Sequence, residues 1–259
     1  MSTPAEPLPQ PLSSAAKASA RNFLWAQERG AWRAATVLLL VMIPILGWSD
    51  LKHTTKTLKS SRAKLYEAKV SYPVFAGSTP LIRFANAQLA KEARSDFDDF
   101  VKSAREGAKA TQKFGMTWEH DQATFIAQAN SRIISVYTEA YSFTGGAHPN
   151  TFFMTYNFMI VKGKPKQIKL SDLVSDPRLL MNGPVLMELN VAKKSREAGP
   201  ETSIDPNVFD RFVLTPTSIT WIFQPYAVGA YAEGSYEIKL PLSVLKGYAR
   251  PDSPLAGMR

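Results

Sequence analysis

The side chains able to do acid–base or metal chemistry are few and scattered. The 259-residue chain has no cysteine and only three histidines, His53, His120 and His148. Without Cys there are no disulfide frameworks, zinc knuckles, iron–sulfur sites or thiol nucleophiles. A His-rich metal site is close to excluded, because His120 and His148 have no helical spacing and no third nitrogen ligand, although a carboxylate site stays open. Glu119-His120-Asp121 sets three titratable groups in a row. Neighbours along a strand point to opposite faces, so the trio does not read as one site. Neither a G-x-S-x-G elbow nor a phosphate-binding G-x-x-x-x-G-K-[ST] loop occurs. No catalytic residue, metal or cofactor is expected on these grounds.

Two loops carry sharper chemistry. In Gly145-Gly146-Ala147-His148-Pro149-Asn150 the paired glycines allow positive φ or close backbone approach. His148 can act there as a hydrogen-bond clasp, and Asn150 can cap a turn. The segment reads either as a structural clasp or as a ligand contact, since loops carry function disproportionately. In Phe223-Gln224-Pro225-Tyr226-Ala227-Val228-Gly229-Ala230-Tyr231-Ala232-Glu233-Gly234, Pro and Gly break the strands around two amphipathic rings. Gln224, Tyr226 and Tyr231 read either as a stacking surface for a sugar or peptide, or as rings packed down with a wet hydroxyl. The candidate binding residues are therefore Gly145, Gly146, His148, Asn150, Gln224, Tyr226 and Tyr231.

These loops hang on elements that the patterning predicts. Leu81, Phe84, Leu89, Ala93, Phe97, Phe100, Val101 and Ala104 recur at three- and four-residue steps, which predicts an amphipathic core helix. After Gly115 the period becomes two. Residues 132–143 are β-like, and in 151–161 Phe152, Met154, Tyr156, Phe158 and Ile160 form one strand face. Asp176-Pro177 predicts an N-cap and first helical position, Gly183-Pro184 a kink, and Gly199-Pro200 a stop. Ile219/Trp221/Phe223 and Tyr236/Ile238/Leu240 predict two more strands. Helices and strands in blocks give an α+β class with mainly antiparallel sheets and packed helices, preceded by one transmembrane helix. Lys56–Lys69 is polar and reads as a stalk running into a first strand.

The N-terminal region sets the topology. Residues 1–32 are Pro-rich and read as a disordered tail. Ala34–Trp48 is free of charge for 15 residues. At about 1.5 Å per residue it reaches ~22 Å, and extension back to Gly30 nearly spans the ~30 Å hydrocarbon core. Trp32 and Trp48 flank it as interfacial tryptophans do. Residues 33–49 are therefore expected to be a transmembrane helix, with a cleaved signal peptide as the rival and a buried helix as the plain alternative. Arg21, Arg29 and Arg33 precede the span, whereas Lys52, Lys56, Lys59, Arg62 and Lys64 follow it, so a positive-charge count alone would put the C-terminal side in the cytoplasm. Four of the 31 basic and two of the 22 acidic residues precede position 50, so residues 50–259 carry 27 and 20, a net +7. That charge reads either as a plain solubility charge or as a preference for anionic material, whose affinity should fall as salt rises.

A family resemblance weighs against that charge count. Thr144–Asn150 resembles the GGAH-x-N hairpin of an extracytoplasmic module shared by PdaC-type peptidoglycan deacetylases and RsiV-type anti-sigma factors. Leu170-Ser171-Asp172-Leu173 resembles its L-x-D-L step, and Ile222–Gly234 with Ile238–Leu245 its F-Q-P-Y … Y-A-x-G … I-P-x-x-x-L pattern. The resemblance is best over residues 139–248 and extends from about 60. It implies an α+β module of unknown function outside the cytoplasm, divided as a membrane-proximal part (50–135), a C-terminal part (136–250) and a tail (251–259). Nothing resembles the Asp and paired-His metal motif of the deacetylase domain, and the short N-terminal region lacks a sigma-binding domain. The expected function is a membrane-anchored, non-catalytic module of the bacterial envelope that binds anionic wall or lipid material or an envelope protein, and no nucleic acid. The alternative is an enzyme acting on wall glycan or peptide through carboxylates that the sequence does not pair.

Overall fold

The computed structural model describes residues 48–257, within a compact unit of residues 46–259. Residues 33–47 of the expected membrane span lie outside the described residues. Among the described residues no helix is long and apolar enough to cross a membrane. The last two residues of that expected span, Trp48–Ser49, are a strand, β1.

A hairpin follows where a stalk was expected: β2 (His53–Arg62) and β3 (Tyr66–Phe75) pair antiparallel along ten positions. Lys64 turns between them at φ 61°. The long helix α1 (Pro80–Gln112) starts at Thr79, whose hydroxyl accepts from the Ile82 N–H, with Pro80 in the first turn. Its buried side is the predicted stripe from Leu81 to Ala104 with Ile82, Ala85 and Ala108 added, while Phe84 is only half-buried. Strands β4 (Trp118–Ala129), β5 (Ile133–Phe143), β6 (Asn150–Val161) and β7 (Lys164–Gln167) complete a sheet ordered β2-β3-β4-β5-β6-β7, with β1 alongside β4.

The sheet is mixed and not simply antiparallel. β3 runs parallel to β4, because α1 carries the chain back across the face between them, and β1 is also parallel to β4. The second layer begins with α2 (Leu170–Leu173) and α3 (Pro177–Leu180), the latter capped by the Asp176 carboxylate on the Arg178 and Leu179 N–H groups. A π-turn over Met181–Val185 follows, where Gly183 leaves helical geometry (φ −102°, ψ −107°) before Pro184. Then come α4 (Leu186–Ser195) and a small antiparallel sheet of β8 (Phe212–Leu214), β9 (Ser218–Phe223) and β10 (Tyr236–Pro241), closed by α5 (Leu242–Lys246).

The large sheet separates two apolar cores. One lies under α1 and includes Val70, Phe75, Leu89, Phe97, Phe100 and Phe158. The other joins Ile133 and Met159 to Trp221, Phe223, Tyr236 and the helices of the second layer. β5 and β6 serve both, so Ile133–Thr138 are buried on both faces.

A buried polar staple joins the layers. Ser135 and Asn157 face each other across β5 and β6, and the Ser135 hydroxyl donates to Asn157 Oδ1 at 2.7 Å. Asn157 Nδ2 donates to the Phe212 carbonyl (2.8 Å), and the Leu214 N–H donates to Ser135 Oγ (2.8 Å). Arg211 and Thr215 bond to β9, so Phe212 and Leu214 direct their backbone groups away from it by strand alternation. The staple thus satisfies two groups on the second edge of β8, the Phe212 carbonyl and the Leu214 N–H, which water cannot reach. Ser135→Ala orphans the Leu214 N–H and Asn157 Oδ1 together. It should lower the free energy of unfolding by about 2 kcal/mol at unchanged denaturant slope. Urea unfolding of the variant at wild-type midpoint would show that the staple contributes nothing.

Candidate functional site

The two loops singled out in the sequence meet. The His148 ring stacks on Tyr231 with centroids 4.1 Å apart, and the Tyr231 hydroxyl donates to the Pro149 carbonyl at 2.8 Å. His148 Nδ1 lies 2.9 Å from that same carbonyl. Tyr226 leans on Tyr231 at 5.5 Å and stays exposed, with its backbone in the left-handed region at φ 69°. Such a conformation for a bulky residue is strained and persists only where its surroundings impose it. Gly145, at φ 79°, lets the loop settle on the end of α1: a Cβ there would stand 2.7 Å from the Thr111 methyl. Gly146 meets nothing, and Asn150 is exposed at the start of β6, opposite Ser142.

The 224–234 loop is held from below by a buried cation. Lys193 on α4 is buried, and its Nζ donates to Glu201 Oε1 (2.8 Å), Glu233 Oε2 (2.8 Å) and the Val228 carbonyl (2.6 Å). Glu233 also accepts from the Ala230 N–H and the Tyr236 hydroxyl. Gly229 is needed for the fit, since a Cβ would come within 2.3 Å of the Glu233 carboxylate. Arg196 lies over the Tyr236 ring and donates to the Glu233 and Ser235 carbonyls. The hydrogen bond from Lys193, then those from Ala230 and Tyr236, hold the Glu233 carboxyl down to about 2.

Gln224 turns toward a cleft of about 700 Å³ beside the first half of β6. One wall is α1, presenting Asp96, Asp99, Phe100 and Ser103, and the other is Asp210, Arg211 and Gln224, with Phe152–Tyr156 between them. His120 lies at its base, stacked on Phe100 at 4.9 Å and 2.6 Å from Asp96 Oδ2. The sequence spaces this Asp–His pair 24 residues apart across a helix and a strand, so no motif announces it. His120 is separated from its sequence neighbours Glu119 and Asp121 by strand alternation, as expected. Arg211 was also missed; its Nη1 is buried without a hydrogen-bond partner. Among the described residues no cluster of three or more His, Asp or Glu side chains could hold a metal ion.

One carboxylate with a strongly displaced acidity lies away from the cleft. Burial pushes Glu237 on β10 up to about 7, with Arg196 opposing and the charge of Glu139 on β5 adding to it. Glu139 is itself raised by burial.

Two family models match parts of the chain, and solved structures share its fold. The sequence model described as Deacetylase PdaC matches residues 59–151, and that of DUF3298, a protein family of unknown function, matches residues 179–243. A crystal structure of a DUF3298 member from Bacteroides fragilis NCTC 9343 is similar in fold, with TM-score 0.57 and 15% identity over 82% of this chain and 98% of that one. A DUF3298 protein from Pseudomonas aeruginosa PAO1 is likewise similar, with TM-score 0.54 and 14% identity over 78% and 94%. No curated protein matches the chain.

Two pH effects follow, and they have opposite signs. Glu233 is depressed, so its contribution to stability is complete above the ordinary 4.5 and is lost as pH falls toward about 2. Lys193→Met should remove most of that acid-side slope, lower Tm at neutral pH, and speed amide exchange across 224–234. A Lys193→Met protein with unchanged exchange in that loop would show that the cation does not hold it. Glu237 is raised, so the native state holds the extra proton between 4.5 and about 7, and stability falls as pH rises through that window. Glu237→Gln should flatten Tm between pH 4.5 and 7, and an unflattened profile would assign the slope to other groups.

Proposed function

We propose that this chain, which carries a PdaC/DUF3298-type module, is a single-pass protein of the bacterial envelope. In this reading residues 33–47 anchor it in the cell membrane, Trp48–Ser49 already belong to the module as β1, and the module lies outside the cytoplasm and binds an envelope ligand without converting it. The observation that carries the reading is the meeting of the two loops. They set His148, Tyr231 and an outward Tyr226 close to a cleft that Gln224 helps to line. Aromatic faces with a few fixed polar groups are the chemistry of recognition sites. A strained, exposed tyrosine that leans on a ring of the turn tied down by the Lys193 cluster is preorganised for contact and contributes little to the core.

A second contact surface bears on the charge of the ligand, although its basic residues count against the outward orientation. β2 presents Lys56, Lys59 and Arg62 to solvent, with Lys52 and Lys64 at its ends. They follow directly on the proposed anchor. Exposed basic groups attract anionic headgroups and anionic wall polymers alike, and the attraction weakens as salt rises.

Topology and binding are tested separately. A reporter active only outside the cytoplasm, fused after Arg259, should be active; a silent reporter beside a bright cytoplasmic one would reverse the orientation. Purified full-length protein should sediment with peptidoglycan and with anionic vesicles at low salt, and less so at high salt or with neutral vesicles. Tyr226→Ala and Tyr231→Ala should each weaken ligand retention about 5- to 10-fold, as loss of an aromatic contact does, without lowering Tm by more than a few degrees. Salt-insensitive binding to a basic protein such as lysozyme, with no retention on anionic material, would overturn the electrostatic part.

A further inference from the structure

We infer that the cleft is a strand-addition site, in which the open edge of β6 from Thr151 to Thr155 pairs with an extended peptide that alternates basic or aromatic residues with acidic or amide ones. The inference rests on the proposed recognition role and names its partner class.

The backbone supplies the first argument. β7 covers only Phe158–Val161 of β6. Beyond that point the Ile168 N–H donates to the Asn157 carbonyl at 2.7 Å, so the Asn157 backbone faces the β7 side. Backbone groups alternate along a strand, so Thr155, Phe153 and Thr151 direct their N–H and C=O groups the same way, where no strand follows. About 14 Å of ladder is thus open, enough for a five-residue segment. Edges left to solvent are normally guarded by Lys, Pro or a bulge. This stretch, Thr151-Phe152-Phe153-Met154-Thr155, holds no charge and no proline, and Phe152 is 42% exposed. It lies at the floor of a cleft walled on both faces of the sheet. Peptide-binding modules that add a strand keep this combination of a free edge and side-chain pockets.

The walls supply the second argument. Successive side chains of an added strand point to opposite faces. Those on the α1 side meet Phe100 and Phe152 and the Asp96 and Asp99 carboxylates, which suit an aromatic ring, Lys or Arg. Those on the other side meet Gln224, Arg211 and Asp210, whose carboxylate already accepts the Leu170 N–H, so the guanidinium and the amide are left to suit Glu, Asp or an amide. A glycan could stack on the same aromatics, but it has no regular amide ladder to match that of β6.

The test uses the full chain in detergent and a fluorescein-labelled, end-blocked hexapeptide, Lys-Glu-Phe-Glu-Lys-Gln, titrated by anisotropy. Saturable binding is expected. N-methylation of one alternating set of peptide amides should weaken it at least tenfold, while methylation of the other set changes it less than twofold. Phe153→Pro removes an outward donor without touching the β5–β6 ladder, as proline is tolerated on such an edge, and should weaken binding at least tenfold. Asp99→Asn should weaken the Lys-containing peptide several-fold and its Gln counterpart much less. If both methylated sets bind like the parent peptide while Asp99→Asn still weakens binding, strand addition is overturned and recognition in the cleft stands. If the peptide fails to bind, or chitooligosaccharides displace it from a cleft indifferent to N-methylation, the peptide assignment is overturned. If neither peptide nor saccharide is affected by Tyr231→Ala or Asp99→Asn, the recognition role of the site falls with it.

Discussion

The structure depends on one short set of buried hydrogen bonds between Ser135, Asn157 and the outer edge of β8. A three-stranded sheet laid on a larger one must dispose of a row of backbone groups at its edge, and burial of those groups without partners is costly. Here two side chains on adjacent strands, which are cross-strand neighbours, accept and donate at the spacing of the Phe212 and Leu214 backbone. This fixes where β8 crosses the face of the large sheet. It therefore fixes Asp210 and Arg211, which immediately precede β8 and form one wall of the cleft; the Thr155 hydroxyl adds a further bond to the Asp210 carbonyl. The apolar residues around the staple supply most of the energy of layer packing, but they would tolerate a slip that these directional bonds do not.

The second device is the Lys193 cluster, and it acts on a loop rather than a layer. A buried ammonium is costly unless its donors are taken, and here three acceptors take them, two of them carboxylates that retain some contact with water. The arrangement ties together α4, the Glu201 segment and both ends of the 228–236 turn. Tyr231 is carried on that turn, and Tyr226 stands two residues before it. The placement of Tyr231 against His148 is thus determined from beneath by charge and from the side by the ring stack and the Pro149 carbonyl.

Much of this was legible in the sequence where a single periodicity governs burial. α1 has one apolar stripe, and its residues were readable from Leu81 onward. Asp176-Pro177 and Gly183-Pro184 act locally and stand where their chemistry puts them. The two loops were readable because Gly, Pro and Tyr there depart from both periods. The parallel pairing of β3 with β4 was not readable, since strand direction depends on the crossover and not on side-chain pattern. β5 is buried on both faces over Ile133–Thr138, which erases the alternation that would orient it. The Asp96–His120 contact, the Arg211 wall and the Lys193 cluster are products of chain segments distant in sequence, and none has spacing to announce it. Charge composition pointed to a solvated surface and concealed a lysine that is almost wholly buried.

The two ends of the large sheet are treated in opposite ways. At β2 the outer strand is long, and it bears Lys56, Lys59 and Arg62 to solvent, so like charges keep a second copy from laying its own β2 alongside. At β6 the exposed ladder is uncharged and aromatic, yet it is recessed between α1 and the Asp210–Gln224 wall. A sheet approaching edge-on brings its own flanking layers, and these would strike both walls before any amide came within reach. A lone strand has no such layers. The recess therefore works as a thickness filter: it withholds a sticky edge from amyloid-like stacking and from pairing between folded copies, without the electrostatic guard used at the other end of the same sheet.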